Sequence, residues 1–120
     1  MEDNISFMKD VVSLDSRQAA VIERACEELD KIPLIPCTTC NYCAKVCPME
    51  IGISGTFTAR NIYTLYGNLA REKHEEGWLV GGHGRKQAVN CIQCGACEAA
   101  CPQHIEIRKE LAEAAELFGE

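Results

Sequence analysis

Residues 91–102 read Cys-Ile-Gln-Cys-Gly-Ala-Cys-Glu-Ala-Ala-Cys-Pro, and residues 37–48 read Cys-Thr-Thr-Cys-Asn-Tyr-Cys-Ala-Lys-Val-Cys-Pro. Both are C-x2-C-x2-C-x3-C-P. The copies lie 54 positions apart, and at that offset Ile51 aligns with Ile105 and Ile53 with Ile107. Each copy therefore ends in C-P-x-x-I-x-I. The likeness outlasts the cysteines, so a whole structural unit is duplicated.

Four soft thiolates at this spacing are what a cubane of iron and sulfide requires, one thiolate per iron. Three cysteines two residues apart let a tight loop wrap one cluster, with its amides turned towards the cluster sulfurs. The fourth cannot easily close the same cluster, and in two-cluster ferredoxins it ligates the other one. On that pattern Cys37, Cys40, Cys43 and Cys101 hold cluster I, while Cys91, Cys94, Cys97 and Cys47 hold cluster II. Two [4Fe–4S] clusters in one small chain point to electron transfer. Paired C-x2-C units also build zinc ribbons. A zinc site, however, needs no third C-x2 step, no C-x3 step and no trailing proline, all repeated.

The 120-residue length suits one domain. Apolar residues make up 47% and aromatic residues only 6%, so the core is aliphatic or is built partly on inorganic clusters. The formal charge is −6; two thiolate-bound clusters would take it to about −10. Such a surface argues against nucleic acid and anionic membrane as partners and suits a basic patch on a redox partner. Nine cysteines in a secreted chain would mean disulfides. The start, Met1-Glu2-Asp3-Asn4, is acidic and lacks the apolar core of a signal peptide. No stretch approaches the about 18 apolar residues of a membrane span. The expectation is a soluble, cytoplasmic protein with no membrane insertion, in which clustered cysteines bind metal.

The periodicity predicts an all-α, helical ferredoxin-like domain with two metal-binding loops over residues 15–120, after an N-terminal tail or remnant of a preceding domain over 1–14. In that tail Ile5, Met8, Val11 and Val12 form a weakly amphipathic stretch. A capping box, Asp15 with Gln18, opens the first convincing helix. Ala19, Ile22, Ala25, Cys26, Leu29 and Ile32 follow as its apolar stripe, which places Cys26 among buried residues. Residues 56–76 read as one or two helices with a weak point at Gly67. Residues 80–84 read as a flexible loop, and 85–89 as a helical turn. A last helix is expected to start at Pro102, with Leu111, Ala114, Ala115 and Phe118 inward. The paired isoleucines are expected to cover the outer faces of the clusters.

No catalytic site is visible. His104 and His74 read as surface or supporting groups, and His83 as a solvated loop residue. Residues 81–86, Gly-Gly-His-Gly-Arg-Lys, match neither phosphate-binding glycine motif and read as a plain loop. Tyr42 and Tyr63 could lie near cluster I or simply pack. Thr38, Thr39 and Asn41 are potential donors to cluster sulfur, so cluster I is expected to have the higher potential.

The two cysteine runs resemble those of dicluster helical ferredoxin domains, similar to the iron–sulfur portions of fumarate reductase, succinate dehydrogenase and heterodisulfide reductase. A closer resemblance covers nearly the whole chain. Asp3-Asn4-Ile5, the helix from Asp15, Ile35-Pro36-Cys37-x-x-Cys40 and Cys101-Pro102-Gln103-His104-Ile105 look like the C-terminal ferredoxin domain of iron–sulfur aldo/keto reductase-family oxidoreductases. The resemblance implies a preceding TIM-barrel catalytic domain as partner. The family's catalytic tetrad of Asp, Tyr, Lys and His maps onto no residues here. The alternative is a structural iron–sulfur domain that forms a docking surface without turnover.

Overall fold

The computed structural model describes residues 2–9 and 12–119. It contains seven α-helices and two single 3-10 turns among these residues, and no strand. Contacts divide the chain into two compact units, before and after Ile32–Pro33. Helix α1 spans Glu2–Lys9 and α2 spans Ser16–Asp30. Asp15 accepts from the Gln18 amide at 2.8 Å and the Gln18 side chain returns the bond at 3.0 Å, completing the expected capping box. The amphipathic stretch expected in the tail falls partly outside the described residues, at Val11 and at the Met8 side chain.

The expected burial of Cys26 is corrected: Cys26 is exposed, and so are Ile22 and Leu29 on the same stripe. No residue of α2 is buried. The segment is amphipathic, but the single short helix that shares its unit offers too little surface to cover it.

The unit from Pro33 onwards holds α3 (Tyr42–Val46), α4 (Ile53–Tyr66), α5 (Leu69–Val80), α6 (Ala96–Ala99) and α7 (Ile107–Phe118). Gly67, at φ 72°, ends α4 and lets the chain turn into α5. Asn68 then caps α5 through the Arg71 amide. A 3-10 turn covers Gly81–His83 and another Ala88–Asn90, the second replacing the helical turn expected over 85–89. The last helix starts at Ile107, not at Pro102. The residues between them form a turn in which His104 takes a left-handed φ of 52° and Ile105 is buried. A helix from Pro102 could not contain that reversal.

The core repeats the sequence duplication. Ile51 and Ile105, Ile53 and Ile107, Phe57 and Leu111, and Cys43 and Cys97 are all buried, each pair 54 positions apart. Helices α3 and α6 pack together, and α4 packs on α7. Arg60 of α4 pairs with both Glu110 and Glu113 of α7 across that seam. A buried polar knot lies between α4 and α5, where the Glu76 carboxylate accepts from Thr56 at 3.1 Å and from Gln87 at 3.0 Å.

One side chain fixes how the chain enters the first cysteine run. The Asn61 oxygen accepts from the Ile35 amide at 2.8 Å, and its NH2 group donates to the Ile35 carbonyl at 2.9 Å. The amide has no backbone partner, whereas the carbonyl also accepts from the Cys37 amide at 2.8 Å. Asn61→Leu keeps the volume and loses both bonds, which leaves the Ile35 amide unmet at a cost of about 1–3 kcal/mol. The expected outcome is a lower denaturant midpoint for cluster loss, followed by the visible absorbance.

Candidate metal centre

Each cysteine run folds into the same backbone path. Thr39 and Gln93 have φ 55° and 59°, Asn41 and Gly95 have φ 61° and 80°, and Glu50 and His104 have φ 56° and 52°. Three left-handed positions thus recur at the repeat offset. Only one of these six residues is glycine, although the conformation favours glycine. Left-handed residues between cysteines turn successive amides to one side, the concave form that receives an anion. The short helices α3 and α6 begin right after the second left-handed position and carry Cys43 and Cys97 inward. The trailing turns also match: the Glu50 amide donates to the Cys47 carbonyl, and the His104 amide to the Cys101 carbonyl, both at 3.1 Å.

The eight motif cysteines are free thiols that gather into two sets. Cys37, Cys40, Cys43 and Cys101 line one cavity. Cys91, Cys94, Cys97 and Cys47 line another. The crossing goes beyond the fourth thiol. Pro102, Gln103, Ile105 and Ile107 follow Cys101 into the first cavity. Pro48, Met49, Ile51 and Ile53 follow Cys47 into the second. The whole C-P-x-x-I-x-I tail of each copy therefore serves the other copy's cysteines. The isoleucines do not cover outer faces, as expected from sequence, but form buried walls. Ile53 lines both cavities.

These cavities suit a cluster. Among the described residues no three Cys, His, Asp or Glu side chains close on a point that would hold one metal ion. Each set of four thiols instead rings a cavity with mixed amide and aliphatic walls, which is the wider arrangement of a cubane whose irons each take one thiolate. Burial pushes the Cys43 thiol up to about 11 from its ordinary 9.0, with the charge of Cys37 adding to the effect and the Ala44 amide opposing it. Burial likewise raises Cys97, against hydrogen bonding from the Glu98 amide. A bare thiolate is disfavoured in either place, a cost that a bound metal would offset.

The histidines stay outside both rings. His104 is exposed and sits at the left-handed turn, His74 is exposed on α5, and His83 is exposed with its ring edge-on to Trp78, centroids 5.4 Å apart. Tyr42 and Tyr63 line neither cavity.

The sequence profile of the 4Fe-4S dicluster domain matches residues 36–106. The chain belongs to the 4Fe-4S dicluster domain family. No match is found among curated proteins or among solved structures. A dicluster domain of this kind carries two [4Fe–4S] clusters and serves electron transfer. Among the described residues no helix is long and apolar enough to cross a membrane.

Metal loading of this dicluster domain follows the raised thiols. Iron has to displace protons that Cys43 and Cys97 hold more tightly than free cysteine does, so loading releases protons and strengthens as pH rises. Reconstitution with iron and sulfide should be more complete at about pH 8.5 than at about pH 6.5. Iron content after desalting measures this, and equal content at both values would contradict it.

Proposed function

We propose that this dicluster domain relays electrons between two [4Fe–4S] clusters as the redox module of a larger, aldo/keto reductase-like oxidoreductase. Cluster I takes Cys37, Cys40, Cys43 and Cys101; cluster II takes Cys91, Cys94, Cys97 and Cys47. The observation that carries the reading is the pair of cavities, each completed by a cysteine from the opposite run and sharing Ile53 as a wall residue. Clusters this close exchange electrons readily, and a purely structural metal domain gains nothing from that closeness. Full thiolate ligation also disfavours a sensor, which works through a labile or open site.

The partner is a redox protein or a TIM-barrel catalytic domain preceding the chain, in a cytoplasmic setting that keeps the thiols reduced. The net charge of −6 favours docking to a basic surface. It gives no support to nucleic-acid binding or membrane insertion. Catalysis, in this reading, belongs to the partner.

The relay and the crossed ligation are tested together. Anaerobic preparations should hold about eight irons per chain and give interacting EPR signals on reduction. Non-interacting signals, or clusters that cannot be reduced, would favour the structural alternative. Cys101→Ala should damage the cluster held by the 37–43 loop although Cys101 is next to the other loop in sequence. Loss of only the 91–97 cluster would sink the assignment.

The loops also differ in their donors. On the cluster I side the Thr39 hydroxyl donates to the Thr38 carbonyl at 2.7 Å, and the Asn41 oxygen accepts from Ser54 at 2.5 Å. On the cluster II side the Gln93 amide and side-chain NH2 approach the Cys91 sulfur at 3.4 and 3.8 Å. The Thr39 hydroxyl is thus engaged elsewhere, while Gln93 brings to a cluster II thiol donors that the sequence reading did not count. Gln93→Leu should lower the potential of cluster II by some tens of millivolts and leave cluster I unchanged, in a redox titration followed by EPR.

A further inference from the structure

One further cavity of the unit is lined by none of the eight cysteines. It measures about 470 Å³ and lies between the 37–43 loop, the start of α4 and the 81–86 loop. Thr39, Asn41, Lys45, Ser54, His83 and Arg85 supply its polar wall, and no Asp or Glu lines it. In a chain of net charge −6 that is an unusual concentration of positive groups. Among the described residues neither Lys45 nor Arg85 forms an ion pair, whereas Arg60, Arg71, Arg108 and Lys109 all do. Lys45 rests over the Tyr42 ring, 5.5 Å from its centroid.

The start of α4 adds backbone donors. Its cap is Gly52, and no side chain caps the helix. Ser54 and Gly55 line the cavity, and their amides have no acceptor among the described residues. They lie at the positive end of a 14-residue helix. The Ser54 hydroxyl is committed to the Asn41 oxygen. That bond fixes the Asn41 amide group with its NH2 unpaired among the described residues.

Arg85 is seated firmly. The Lys86 amide donates to the Glu50 carbonyl at 3.1 Å, and the Gly52 amide donates to the Lys86 carbonyl at 3.0 Å. Residues 85–86 are thereby stitched to the tail of the first cysteine run. The Gly84 and Arg85 amides are spent inside their own turn, on the Gly81 and Val80 carbonyls. The glycine loop is therefore no backbone phosphate cradle, in keeping with its sequence. Its contribution is to hold the Arg85 and His83 side chains opposite the start of α4.

We propose that this cavity binds a small phosphate-bearing molecule. Two unpaired cations, an uncapped helix start and an unpaired amide group converge there with no competing carboxylate. The volume exceeds that of a single phosphate and falls in the range of small-ligand sites. Thr39 and Asn41 belong to both this wall and the 37–43 loop, so the ligand would sit beside that loop.

The clusters make the test direct. With the reduced, fully loaded protein, paramagnetic broadening of the 31P signal of pyrophosphate should saturate with protein concentration and be displaced by inorganic phosphate. The K45E/R85E double variant should bind pyrophosphate at least about tenfold more weakly, and K109E, at an exposed pair elsewhere, should bind as the parent does. Iron content and visible absorbance of each variant show that the fold is retained. A K45Q variant with an intermediate affinity provides a milder check should the double variant lose its clusters. Broadening that never saturates, or that K109E weakens as much as K45E/R85E does, would overturn the proposal.

Discussion

The structure depends on a topological constraint set by thiolate chemistry. A cubane needs four sulfurs around it, and a loop of C-x2-C-x2-C can supply only three without strain. The fourth must come from elsewhere, and here each tail crosses into the other half. Neither half can complete its own cavity. Once the tails cross, Ile51, Ile53, Ile105 and Ile107 are drawn inward and become the core, so the metal shells and the hydrophobic centre share the same residues. This explains how a chain with so few aromatic residues has a core at all. Phe57 and Leu111, at equivalent positions of α4 and α7, each close one cavity wall.

Much of this was legible because the metal imposes it. Cysteine spacing is a covalent requirement of the cluster, and the duplicated isoleucines showed that the likeness continued beyond the ligands. The capping box at Asp15 and the break at Gly67 were readable for local reasons: a side chain paired with its own backbone, and a residue free to take φ 72°. The path inside the loops was not readable. Thr39, Asn41, Glu50, Gln93 and His104 adopt left-handed conformations that their side chains do not advertise. Nor could the start of α7 be read, since Pro102 at a helix start is a sound local inference that the His104 reversal overrides. Cys26 failed for a different reason. Amphipathic periodicity says that a helix has an apolar face and not that anything covers it.

The direction of the isoleucines shows where sequence reasoning stops. From sequence, the isoleucines of the C-P-x-x-I-x-I tails read as covers over the outer faces of the clusters. The choice between outer cover and inner wall depends on which half each tail belongs to in space, a long-range fact with no local signal. The same holds for the donors. Thr39 has the right chemistry to reach sulfur, but its hydroxyl is claimed by the Thr38 carbonyl. Gln93, a residue with no special standing in the sequence, is the one that approaches a thiol.

The duplication is not perfect in function, and the reason lies between the copies. Helix α5 and the 81–86 loop have no repeat counterpart, yet they pack against the start of α4 and not against the equivalent start of α7. Gly55 permits this approach, because a Cβ there would come within 2.9 Å of the Leu79 carbonyl oxygen. At the equivalent position on α7 stands Lys109, and the neighbouring Arg108 is bound to Glu98 at 2.9 Å. The start of α7 is thus closed by an ion pair within its own half. The start of α4 is left uncapped, facing Arg85 delivered by the insert. Two copies of one metal-binding unit have in this way acquired different surroundings: one with a thiol contacted by Gln93, the other beside a positively charged cavity. Identical ligand sets therefore sit in different electrostatic settings, and that difference in surroundings, not in ligands, is what can set the two cluster potentials apart.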